Sequence, residues 1–155
     1  MPLERDLKKG LGRFYDPKVK TLRRFLPDIG DQKDPDAVDS WYLYHPMLNL
    51  GRLALDGDEQ ARDLLLKSID YGIDAAHHFK YAWPIMYKIQ DFSVITEARG
   101  DGRFGQTDVN GIYAYVMLQC FELTGEDRFV EEARRAIDVA RDLRFDLLYQ
   151  ANLTV

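Results

Sequence analysis

The chain has 155 residues, 46% of them hydrophobic and 12% aromatic, enough to fold around one core and too apolar for a disordered chain. A formal charge of −5 and a pI near 5.2 argue against general affinity for nucleic acid or an anionic membrane, because both call for a basic face. The opening Met1-Pro2-Leu3-Glu4-Arg5-Asp6 lacks the apolar core of a secretory signal, no apolar run approaches a membrane span, and the single Cys120 excludes an intrachain disulfide framework; a soluble, cytoplasmic protein is expected.

Residues 1–36 carry Gly10, Gly12, Pro17, Pro27, Gly30 and Pro35, and read as a lead-in arm with one short helical candidate around Val19 to Phe25. The rest, 37–155, reads as one helical domain. Asp39 to Leu55 is apolar on nearly every face, so this helix must be covered on several sides; Pro46 either starts its regular part or kinks it. Gly57 suits a left-handed helix end, and after it apolar residues at Ala61, Leu64, Leu65, Ile69, Ile73 and Ala76 form one stripe of a second helix. Phe79 to Thr107 departs from helical period, and 79–107 is expected to be an inserted loop holding a small β-hairpin or strand, the kind of segment in which function usually sits. A second apolar helix follows over Gly111 to Leu123, and a second striped one over Glu126 to Leu143. The tail from Asp146 approaches a third inner helix and stops, which points to a fragment of a longer repeat protein or to a chain that self-associates.

Two turns share one pattern, Leu55-Asp56-Gly57-Asp58-Glu59 and Leu123-Thr124-Gly125-Glu126-Asp127. At the same offset of 68 residues Leu50 meets Leu118, Ile69 meets Ile137 and Asp70 meets Asp138. The expected fold class is therefore all-α, a tandem repeat of helical hairpins with a loop or short β insertion between them. With the aromatic run Trp41-Tyr42-Leu43-Tyr44-His45, this pattern resembles the (α/α) toroid folds, nearest in flavour to the six-hairpin glycosidase-like proteins, over about Asp39 to Val155. The resemblance implies a partial toroid and a carbohydrate-active protein, of glycoside hydrolase, lyase or epimerase type, binding a sugar at the inner-helix rim. It carries over no catalytic residue by identity.

In such a rim carboxylates move protons and aromatic rings stack on sugars. The catalytic candidates are Asp39 and Asp108, each preceding an inner helix, and Glu97 and Asp91 in the insertion. Asp39 and Asp108 read first as helix N-caps, and the loop acids first as surface charge. Trp41, Tyr42, Trp83, Tyr87, Arg99 and Asn110 are the substrate-binding candidates; the aromatics among them also suit a core, and Arg99 a loop salt bridge. Adjacent His77 and His78 diverge on a helix, so neither a metal nor another cofactor is expected, and Cys120 reads as a small core residue. Catalysis by this chain alone is doubtful, since an open partial toroid leaves its acids in bulk water.

Two readings compete. A noncatalytic helical-repeat scaffold binding a protein partner fits an offset twice the tetratricopeptide period, although at half that offset Gly57 falls on Asp91 and the helix signature is missing. An isoprenoid-type toroid ranks last, because neither a DDxxD nor a DxDD run occurs.

Overall fold

The computed structural model describes residues 10–23, 34–98 and 106–143. Among the described residues four α-helices hold most of the core: α1 (Ser40–Leu55), α2 (Glu59–His78), α3 (Thr107–Thr124) and α4 (Asp127–Asp142). Strands β1 (Tyr15–Asp16) and β2 (Thr21–Leu22) pair antiparallel in the N-terminal arm. A second antiparallel sheet has the order β3-β4-β5, built from β3 (Ala37–Asp39), β4 (Met86–Lys88) and β5 (Val94–Thr96).

Each helix starts and stops for a local reason. Asp39 leaves β3 in extended geometry, and its carboxylate accepts the Trp41 and Tyr42 amides at the head of α1, which then runs through Pro46. Asp58 caps α2 by accepting the Ala61 amide. Gly57 and Gly125 follow α1 and α3 with φ of 94° and 73°, the left-handed geometry that glycine adopts without a steric penalty. α1 packs against both α2 and α3, and α3 against α4, so α1 and α3 lie inside the row.

The core is centred on aromatic rings from different elements. The Tyr44 ring lies edge-on to Trp83 and Tyr113, and its hydroxyl donates to the Gly72 carbonyl of α2 at 2.7 Å. Gly72 permits this approach, since a Cβ there would lie 2.9 Å from Tyr44 Cε1. Burying each such side chain contributes on the order of 1.5–3 kcal/mol.

The fold is therefore mixed α and β, and the expectation of an all-α (α/α) toroid is corrected. Among the described residues five strands in two sheets accompany the four helices. The tandem-hairpin repeat is corrected with it, because positions paired by the 68-residue offset pack differently. Leu50 is 1% exposed where Leu118 is 46%, and Ile69 is 0% exposed where Ile137 is 44%. The expected β-hairpin within 79–107 is present as β4 with β5, whereas β1, β2 and β3 were not expected, because two or three residues carry no period that separates a strand from a loop. Among the described residues, no helix is long and apolar enough to cross a membrane.

Replacing Gly125 by alanine tests the turn alone, because a Cβ there meets no atom within 4 Å. Gly125→Ala is expected to lower stability by about 1 kcal/mol in urea denaturation, entirely through the cost of left-handed backbone.

Candidate functional site

Three places in the structure gather chemistry. At the first, the heads of α1 and α3 meet at one carbonyl: the Ser40 hydroxyl donates to the Pro84 oxygen at 2.6 Å, and the Gln106 side-chain amide donates to the same oxygen. The Ser40 amide donates to the Ile85 oxygen, so the segment before β4 fastens both helices. Asp39 and Asp108 stand at these two helix heads, and the charge of Asp39 is felt at Asp108. Asp39 serves the backbone as the α1 cap, whereas Asp108 is 4% exposed and accepts its own helix's Val109 amide. Burial pushes the Asp108 carboxyl above the usual carboxylate range, backbone hydrogen bonds oppose this, and the charge of Asp39 adds to it.

The other sequence candidates scatter. Asp91 closes a small turn by accepting the Ser93 amide and hydroxyl, and Glu97 is exposed. Trp41 is half-buried with its ring stacked on His45, and Tyr42 is exposed beside it. Trp83 and Tyr87 are wholly buried and present no face to solvent. Asn110 is buried and donates to the Ala136 carbonyl of α4. Arg99 lies outside the described residues. The carbohydrate-active reading is corrected with the toroid that carried it, since two of its aromatic platforms are core.

The second place is an apolar hollow of about 240 Å³ between the arm and the first two helices. Leu11, Phe14 and Leu22 wall it on the arm side, and Pro46, Leu50 and Leu64 on the helix side, with Tyr42 also in its lining. Among the described residues Arg23 is the one cation in the wall, and its charge is already matched: Nε donates to Asp16 at 2.6 Å, and a terminal nitrogen donates to Asp36 at 2.9 Å and to the Pro35 carbonyl at 2.8 Å.

The third is a buried carboxylate. Glu132 of α4 is 6% exposed, and its Oε2 accepts the hydroxyls of Tyr113 at 2.7 Å and Tyr81 at 2.8 Å. Its Oε1 meets Nε2 of His77 at 2.9 Å and accepts a guanidinium nitrogen of Arg135 at 3.1 Å. Burial alone would push the Glu132 carboxyl up, but hydrogen bonds from Tyr113, His77 and Tyr81 outweigh it and hold the group below the usual glutamate range. The reciprocal effect appears on Tyr81, whose hydroxyl is pushed up to about 12 by burial and then by its bond to Glu132.

Sequence reasoning missed both the hollow and this cluster. The legible signal was Glu132 itself, an acid at a position of the α4 apolar stripe, flanked by buried Phe129, Ala133 and Ala136. No family model, curated protein or solved structure matches the chain.

Two substitutions separate the acids. Tyr113→Phe removes a buried donor to a charge and is expected to cost about 2 kcal/mol in urea denaturation at neutral pH. The folded carboxyl of Glu132 is depressed, so its contribution is complete above the unfolded glutamate pKa and lost as pH falls through the folded one; the Tyr113→Phe deficit should shrink in that acid window. For Asp108 the folded pKa is raised, so ionisation destabilises the fold as pH rises. Asp108→Asn should therefore raise the melting temperature at neutral pH and lose that advantage below the unfolded aspartate pKa; a lower melting temperature at neutral pH would contradict this assignment.

Proposed function

We propose that the chain is a noncatalytic binding unit that takes a protein partner through the hollow beneath its N-terminal arm. The carrying observation is the chemistry of that hollow: a concave surface from three separate stretches of chain, apolar on both walls, whose single cation is already neutralised. Its volume of about 240 Å³ lies below the roughly 300–1,000 Å³ that encloses a whole small ligand. That size suits one bulky apolar side chain from a peptide, the anchor around which protein interfaces concentrate their energy. Sugar hydroxyls would find few open polar partners against these walls. A cytoplasmic setting fits the free, buried thiol of Cys120, which burial pushes up to about 12 and keeps in its unreactive form.

Selection from a peptide library displayed on phage, followed by calorimetry of the winners, tests this reading. Enriched peptides are expected to share one Trp, Phe or Leu anchor and to lose at least about tenfold in affinity, some 1.4 kcal/mol, against Leu11→Trp, which fills the hollow from its wall. Binders indifferent to Leu11→Trp would overturn the proposal. So would an oligosaccharide or uronic acid that raises the melting temperature of the wild type but not of Tyr42→Ala.

A further inference from the structure

α2 ends in a corner that sequence would not choose. Lys80 and Tyr81 follow one another with φ of 52° and 60°, left-handed geometry that residues with a Cβ rarely adopt singly and more rarely in succession. The local bonds are ordinary: the Lys80 amide donates to His77 and the Tyr81 amide to Ala76. What distinguishes the corner is that Tyr81, its second strained residue, places its hydroxyl on the buried Glu132 carboxylate, 51 residues away in sequence. Immediately beyond it come Trp83, buried against Tyr44 and Tyr113, and Pro84, whose carbonyl fastens the heads of α1 and α3.

We propose that the Glu132 cluster is an acid-released latch: the ionised carboxylate holds the strained corner at residues 79–82 against α3 and α4, and its protonation frees the corner while the helices stay folded.

Charged and titratable groups face Glu132 from the elements around it: His77 from α2, Tyr81 from the corner, Tyr113 from α3, Arg135 from α4 itself, and Tyr44 of α1, which packs on Tyr113 and feels the Glu132 charge. Its neighbour Glu131 faces elsewhere and pairs with Arg134. A neutral acid offers one oxygen as a donor, so both tyrosine hydroxyls, the His77 ring and the Arg135 guanidinium can no longer all be accommodated together. Tyr113 and Arg135 sit within regular helices that many other bonds maintain. Tyr81 sits where the backbone is strained, so it is the partner released first. The latch acts in the window where the folded, depressed carboxyl titrates, below the ordinary glutamate range.

Amide exchange measured by NMR from neutral pH into acid tests this, with protection factors corrected for intrinsic rates. The Tyr81 and Ala82 amides are expected to lose at least about tenfold protection through the Glu132 titration, while the Leu65 and Ile69 amides of α2 keep theirs. Glu132→Gln, which mimics the neutral acid, should show the unprotected corner at every pH. Should that variant fail to fold, Tyr81→Phe serves instead: one donor fewer raises the Glu132 pKa, so any remaining transition in Ala82 protection moves to higher pH. The latch is overturned if corner and core lose protection together, if Glu132→Gln keeps wild-type corner protection, or if Tyr81→Phe leaves the transition where it was.

Discussion

A carboxylate taken out of water must be matched by donors at close range, or it costs more than most other defects a small domain can hold. Glu132 meets that demand with four partners from three helices and a corner: His77 on α2, Tyr81 at the corner, Tyr113 on α3 and Arg135 on its own α4. Hydrophobic packing brings these elements together without fixing their relative positions, because apolar contact has no direction. The hydrogen bonds do have direction. They place the end of α2 against α3 and α4, which otherwise follow it in sequence only after a long excursion through the β4 and β5 strands.

From that point the rest of the architecture follows by short connections. Fixing Tyr81 fixes Trp83, whose ring packs against Tyr44 of α1 and Tyr113 of α3, and Pro84, whose carbonyl receives Ser40 and Gln106. The heads of α1 and α3 are thereby held together, and β4 is started in register with β3. α1 then presents Pro46 and Leu50 to the arm, where the ion pairs of Arg23 with Asp16 and Asp36 tie β1 and β2 to the segment entering β3. The hollow is the space left between these two systems, one apolar and packed, the other short and held by charge.

The parts of this arrangement legible in sequence are those set by local rules. Gly57 and Gly125 mark helix ends because only glycine takes left-handed geometry freely, and both do so here. Asp39 precedes α1 as an acceptor for free amides, and its capping reading describes what its side chain does. The hairpin of β4 and β5 was legible as a break in helical period over 79–107, whereas β1, β2 and β3, with two or three residues each, are too short for alternation to show. The all-α class and the repeat failed for a related reason: matched residue types at a fixed offset do not guarantee matched surroundings, as Leu50 against Leu118 shows. Glu132 was hidden because a glutamate on an amphipathic helix reads as a solvated charge until the neighbours that bury it are known. The hollow was hidden because its walls lie far apart in the chain, at Phe14, Pro46 and Leu64.

Glu132 is thus an ionised, fully matched charge on which the corner and both helix heads depend. Titration of its side-chain carboxyl by ¹³C NMR in the folded protein tests this most directly. A single transition below the ordinary glutamate range is expected, accompanied by shifts of the Tyr81 and Tyr113 ring signals at the same midpoint. A transition at or above the ordinary glutamate value, or one that leaves the two tyrosine rings unmoved, would contradict it.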